Sequence, residues 1–348
     1  MDVTDLLTQC VASGASDLHL LPGLQPFLRI DGDLTPMKNV PVLSPDITKS
    51  LVYSLLDEPQ RMLFSENKQF EVAIGFEQLG YFRVSVYHQL NGVAAVFRVI
   101  PNEVPTFDEL NLPTILKSLC VLANGLVLVT GPAGSGKSTT LAAMINYINT
   151  FRACNIITIE DPIEFVHTSK KCAISQIQVT RDTIDFATAL RASLRQDPNV
   201  ILLGELRDLE TIRLALTAAE TGHLVMATLH ATTAPLAINR IVDVFPDEEK
   251  NRVRDLLAET IQGICCQTLV KKTSGGRIAA FEMMLATRAI RHQIRQDKVA
   301  HMLMTMQTNG DVGMCTMEQY LDELVSKRLI TQNEARRVAQ SRGTTRYS

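Results

Sequence analysis

Leu126-Val127-Leu128-Val129-Thr130 runs directly into Gly131-Pro132-Ala133-Gly134-Ser135-Gly136-Lys137-Ser138-Thr139, and a helical stretch continues to Ile148. An apolar run ahead of a glycine-rich turn predicts a buried strand, and the sequel predicts a helix. The turn fits G-x-x-x-x-G-K-[ST] in the strand-to-helix setting that gives this spacing its meaning. Its glycines let backbone N–H groups close around phosphate oxygens at a helix N-terminus. Lys137 adds positive charge for the β and γ phosphates, and Ser138 a hydroxyl for magnesium. A chance glycine turn is the alternative, and the flanking strand and helix weigh against it. ATP with Mg2+ is the expected ligand.

Downstream, the short apolar runs Ile156–Ile159, Val200–Leu203 and Leu224–Thr228 alternate with helical stretches. That is the α/β pattern of a mostly parallel sheet. Hydrolysis needs carboxylates to act on water and to hold the metal's water shell. Glu160-Asp161-Pro162-Ile163-Glu164 follows one strand and Gly204-Glu205-Leu206-Arg207-Asp208 another. Carboxylates at the C-terminal ends of strands face the ligand crevice of such a sheet. The commoner fate of acidic residues there is a helix cap or a solvated turn. A third segment, Thr221 to His230, carries a histidine before and after one strand, and its end is a candidate sensor of the γ phosphate. Arg191 and Arg195 lie four apart on a predicted helix, which would point both one way.

Upstream of residue 107 the signals change to strands and turns, with helical pattern only at about 44–63. Tyr81 to Leu90 and Val93 to Ile100 flank Asn91-Gly92, the dipeptide suited to a two-residue hairpin turn. With those two at its centre, Ser85 would face Arg98 and Arg83 would face Ile100, so the arginines become diagonal neighbours on one face. Residues 101–106 hold two prolines and no apolar period, which suits a linker between domains. From about 244 the tail reads as largely helical, interrupted by Ser274-Gly275-Gly276 and a strand at Arg277–Phe281.

The chain has 348 residues, enough for two domains. With 34 basic and 37 acidic residues and no Trp, it offers neither a positive field nor stacking platforms for nucleic acid. The seven cysteines, Cys10, Cys120, Cys154, Cys172, Cys265, Cys266 and Cys315, form no Cys-x-x-Cys pair and read as reduced. No run approaches the roughly 20 apolar residues of a membrane span, and the N-terminus lacks a signal peptide's basic start, so a cytoplasmic protein without membrane insertion is expected.

Taken together, Ile157 to His167, Ile201 to Thr211 and Thr221 to His230 resemble the Asp box, Walker B and His box of the secretion-superfamily ATPases. Within that superfamily the chain is most similar to the PilT-type retraction motors of type IV pili. The likeness extends to Ser16-Asp17-Leu18-His19-Leu20 and Arg29-Ile30-Asp31-Gly32, and in the tail to Gly313-Met314, Thr316-Met317 and Gln319.

It implies an α/β chain with a small PAS-like α+β domain over 1–100, a linker over 101–106, a RecA-like P-loop ATPase core over 107–285 and a helical region over 286–348. It also implies Glu164 as catalytic base and Glu205 as the acid near magnesium, with Glu160, Asp161 and His230 in support. A homohexamer is implied, with Arg83 and Arg98 placed to serve a neighbour's phosphates. So are an inner-membrane pilus platform protein and a second retraction ATPase as partners, at the cytoplasmic face of the inner membrane. The chain has no longer N-terminal region and no tetracysteine motif, which favours retraction over assembly or secretion. Ala289-Ile290-Arg291-His292-Gln293-Ile294 departs at two positions from the Ala-Ile-Arg-Asn-Leu-Ile of retraction motors, which bears on coupling and not on hydrolysis.

Overall fold

A computed structural model describes residues 2–30, 32–77, 79–100 and 103–342. Two compact units emerge. One runs to Glu103 and includes Pro162–Val166; the other comprises Val104–Asp161 and the chain from His167 onward. Asp31 of the expected turn and Pro101 and Asn102 of the expected linker lie outside the described residues.

In the first unit, β1 (Asp17–Leu20), β2 (Phe27–Ile30), β3 (Asp33–Pro36), β4 (Gln69–Phe76), β5 (Gly80–Gln89) and β6 (Gly92–Ile100) form an antiparallel sheet of order β3-β2-β1-β6-β5-β4. Alternate residues of its central strands, Phe82, Val84 and Val86 with Ala95 and Phe97, are fully buried. The opposite face carries the arginines. Period-two alternation is what a sheet with one covered face requires. This is the small PAS-like α+β unit.

Two features of this unit differ from the sequence expectation. Val3–Ala12 is a helix, capped by Asp2, with Val3, Leu6, Leu7 and Cys10 buried at helical spacing. The β5–β6 register also moves by two: Gln89 pairs with Gly92, and Arg83 stands directly opposite Arg98 instead of Ile100. An even shift leaves every side chain on its own face, so burial does not discriminate between the registers. Turn chemistry does. Gly92 takes its positive φ of 126° as the first paired residue, while Leu90 occupies the turn and is 98% exposed.

The second unit holds β7 (Gly125–Thr130), β8 (Asn155–Glu160), β9 (Ala173–Gln178), β10 (Val200–Leu203), β11 (Leu224–Leu229), β12 (Ile261–Lys271) and β13 (Arg277–Leu285). Their order is β13-β12-β7-β11-β10-β8-β9, parallel throughout except for the antiparallel β12–β13 hairpin. Successive residues of β7 enter different cores. Leu126 and Leu128 pack on one side, with Ile212, Ile238 and Leu257 from the helices there. Val127 and Val129 pack on the other, with Met144 and Ile148 of the helix Lys137–Phe151. A sheet covered on both faces has continuous apolar strands, which is why these runs stood out in the sequence.

The expectation of a largely helical tail is corrected at β12. Its run Ile264-Cys265-Cys266 is buried on both sides, and a fully buried strand looks the same as a buried helix to a periodicity argument. Beyond β13, Thr316 and Gln319 form a reciprocal capping box that starts the helix Met317–Ser326. In the helix Arg288–Arg295, Ile290 and Ile294 are fully buried, His292 is exposed and Gln293 donates to Thr305 at 2.8 Å. The two departures in this segment thus fall on a solvent position and on an interhelical hydrogen bond.

Candidate nucleotide site

The turn after β7 takes the shape that its glycines permit. Gly131, Gly134 and Gly136 have φ of 147°, 71° and 87°, values that L side chains avoid. The helix begins at Lys137, whose ammonium folds back to donate to the carbonyls of Gly131 at 3.0 Å and Pro132 at 2.9 Å. Phosphate oxygens are stronger acceptors for an ammonium than these neutral carbonyls. The Ser135 hydroxyl is buried in the loop with no hydrogen-bond partner. A basic group held over a cradle of N–H groups at a helix start, with a spare buried hydroxyl, fits a polyphosphate. A cavity of about 410 Å3 adjoins the loop, bounded by Gly136, Thr139 and Thr140, by Leu110 and Leu112, and by Leu269 of β12.

At the neighbouring strand ends, the second acidic segment and the third motif meet. The Glu205 carboxylate lies between Arg207 Nε at 2.7 Å and His230 Nε2 at 3.4 Å. Thr228 donates its hydroxyl to the Gly204 carbonyl, and Leu206 N–H donates to Thr228 O at 3.0 Å. These bonds lace the end of β10 to the end of β11. Gly204 leaves room for β8, since a Cβ there would lie 3.3 Å from Glu160 Cα. Glu160 in turn accepts from Thr158 Oγ1 at 2.7 Å and Gln176 Nε2 at 3.3 Å.

The first acidic segment is divided. Glu160 ends β8 and Asp161 is exposed beyond it. Glu164, also exposed, belongs to the stretch grouped with the first unit, where Ile163 and Val166 pack with Ala73 and Ile100. In that unit Arg83 pairs with Glu71 at 2.8 Å and Arg98 with Asp17 at 2.7 Å. Burial pushes Asp17 up, yet hydrogen bonds from Ser16 and Arg98 and the arginine's charge outweigh it and hold the carboxyl below its ordinary value.

Other residues take humbler positions. Asp208 caps the helix Leu209–Glu220, accepting from Thr211 N at 2.8 Å. His223 precedes β11, at the opposite end of the strand from His230, with Nδ1 3.0 Å from Ala218 O. His167 is pushed down to about 4 by burial and by Lys170, so its ring is neutral at physiological pH. The helix carrying Arg191 ends at Ser193, so Arg195 falls beyond it and the two arginines share no helix face; Arg191 pairs with Glu210.

Two residues at the site were not singled out from sequence. Arg207 gave no signal beyond lying in an acidic turn. Gln267 did give one, as a lone amide inside the apolar run Ile264 to Val270, where a buried polar group demands partners.

Comparison with known proteins extends this geometry. The model of the type II/IV secretion system protein family matches residues 2–342. A type IV pilus retraction ATPase, PilT, of Pseudomonas aeruginosa is 51% identical over 340 residues, 98% of each chain. A twitching motility protein of Neisseria gonorrhoeae is 46% identical over 317 residues, 91% of this chain and 84% of that one. The crystal structure of the pilus retraction motor PilT with bound ADP superposes with a TM-score of 0.91 at 45% identity, covering 97% of each chain. Matched along almost its whole length by that family model, by a retraction ATPase half identical to it and by the retraction motor's structure, this chain belongs to the type II/IV secretion system ATPase family and, within it, to the PilT-type retraction ATPases.

Proposed function

We propose that the chain hydrolyses ATP as a homohexameric motor that retracts type IV pili. The observation that carries this reading is a phosphate loop with its lysine and buried hydroxyl in place, within a chain half identical to a retraction ATPase over nearly its full length. Residues 131–139 bind the phosphates, with the Lys137 ammonium passing from loop carbonyls to phosphate oxygens. Ser138 and Glu205 offer the hard oxygen donors that Mg2+ prefers, Glu205 through water. The ion, when bound, neutralises charge on the phosphate oxygens.

Glu164 is exposed and serves as general base toward water. Glu205, held by Arg207 and His230, orients the metal's water shell, and His230 reports the γ phosphate to β11. Glu160 and Asp161 shape the same edge. The two arginines differ in their anchorage. Arg98 is bound to an Asp17 that is nearly buried, whereas Arg83 pairs with a half-exposed Glu71, an ion pair worth about 0–1 kcal/mol. Arg83 is therefore the one free to serve a neighbouring subunit's phosphates, and Arg98 holds the sheet.

Among the described residues no helix is long and apolar enough to cross a membrane. Attachment at the cytoplasmic face of the inner membrane then falls to a pilus platform protein, with a second retraction ATPase as a further partner. Deleting the gene tests the reading. Cells should keep abundant surface pili that fail to retract; loss of the pili would assign the protein to assembly instead.

A further inference from the structure

Gln267 sits where β12 outruns β7. The two parallel strands pair as far as Cys266 and Thr130; β7 then turns into the phosphate loop while β12 continues to Lys271. The loop folds against the next residue of β12. The Gln267 carbonyl oxygen lies 2.3 Å from the place a Cβ would occupy on Gly131, and its side-chain nitrogen 2.8 Å from the same place on Gly136. These glycines are required by space as well as by φ. The loop has an outer wall, and that wall is Gln267.

The side chain uses both of its ends. It is 3% exposed, with Nε2 donating to Ser135 O at 2.7 Å and Oε1 accepting from Thr140 Oγ1 at 2.7 Å. Holding the Ser135 carbonyl toward β12 has an effect on the other side of the peptide. In a trans peptide the C=O and the following N–H point in opposite directions, so the Gly136 N–H is turned away from Gln267 and toward the loop interior. Flipping this peptide would present a carbonyl oxygen to the phosphates in place of a donor. The bond to Thr140 ties the first turn of the helix to the same amide. The far end of β12 is itself anchored, since Lys271 N donates to Glu334 at 2.9 Å.

We infer that Gln267 is a positioning residue of the nucleotide site, which sets the orientation of the Ser135–Gly136 peptide and so the affinity for the nucleotide phosphates. The inference rests on the ATP-binding reading above. It predicts a defect in binding more than in turnover, because a phosphate grip made equally in ground and transition states acts on KM and not on kcat.

Gln267→Met keeps the length and removes both bonds. Gln267→Glu keeps an acceptor for Thr140, loses the donor to Ser135 and adds negative charge beside the loop. For the methionine variant we expect KM for ATP and Kd for a fluorescent ADP analogue to rise roughly tenfold, with kcat within about twofold. The glutamate variant should bind more weakly still. Unchanged KM and Kd in Gln267→Met would overturn the inference whatever its melting temperature, as would a loss confined to kcat. If Gln267→Met does not fold, Gln267→Leu, which likewise removes the bond to Ser135, takes its place and should raise Kd by a similar factor; no rise there overturns it equally. A wild-type protein that binds the ADP analogue yet never hydrolyses ATP would refute the motor and leave the Kd series to judge Gln267.

Discussion

Replacing Arg342 by Met tests how the tail is fastened to the ATPase unit. Arg342 donates to Glu282 of β13 at 2.5 Å, and the two side chains are 7% and 2% exposed. Glu282 also accepts from Ala234 N at 2.7 Å, the first residue of the helix that follows His230, and from the Met317 backbone at the start of another helix. One carboxylate thus joins the tail, the hairpin and the segment beyond the His box. Removing one partner of a buried ion pair costs about 3–5 kcal/mol, because the other charge stays buried. The two backbone donors remain, so the lower end applies: about 3 kcal/mol, a fall in Tm of roughly 6–12 °C for a domain of this size.

The loss has a pH signature. Burial already pushes the Glu282 carboxyl up against the pull of Arg342, and without the arginine it rises further. A group whose folded pKa lies above its unfolded value of 4.5 destabilises least below that value and progressively more as pH rises. Thermal melts followed by near-UV circular dichroism should therefore show a smaller gap between wild type and Arg342→Met at pH 5 than at pH 8. Adding Glu282→Gln should recover part of the loss at pH 8. A gap below about 2 °C, an equal gap at both pH values, or a double variant no better than the single one would refute the reasoning.

Glu164→Gln should lower kcat by about 10²–10⁴ with ATP affinity retained, as measured by turnover and by equilibrium binding. In mixed hexamers, Arg83→Ala subunits should depress hydrolysis at the adjoining site while keeping their own nucleotide affinity; lost affinity in the isolated mutant subunit would remove the trans role. Glu334 is held down to about 2, chiefly by its hydrogen bonds from Arg337. A depressed carboxyl stabilises above its unfolded value of 4.5 and loses that contribution as pH falls toward 2. The stability gap between wild type and Glu334→Gln should accordingly be full at pH 6 and close progressively below pH 4.5 in an acid titration.

The ATPase sheet was legible because its strands are buried on both faces and so are apolar without interruption, as in Val200–Leu203 and Leu224–Leu229. The phosphate loop was legible because its chemistry is local: eight successive residues carry the backbone freedom, the charge and the hydroxyl. The helix Val3–Ala12 carries the signal in its period, with Val3, Leu6, Leu7 and Cys10 on one face, but it is short and the strand-and-turn pattern that follows it dominates the region. The β5–β6 register could not be read from burial, since a shift of two preserves both faces.

By itself the sequence determined what this protein binds and which family's motor it is, since motif order and strand pattern are properties of the chain taken locally. Only the tertiary structure decided the contacts of these residues: in the ATPase unit, that Glu205 is gripped by Arg207 and His230 and that Gln267 walls the loop, and within the first unit, that Arg98 is tied to Asp17 while Arg83 has the weaker anchor. Those contacts join residues as far apart as Ser135 and Gln267, 132 positions along the chain. No local pattern encodes them, because they exist only once the strands have paired.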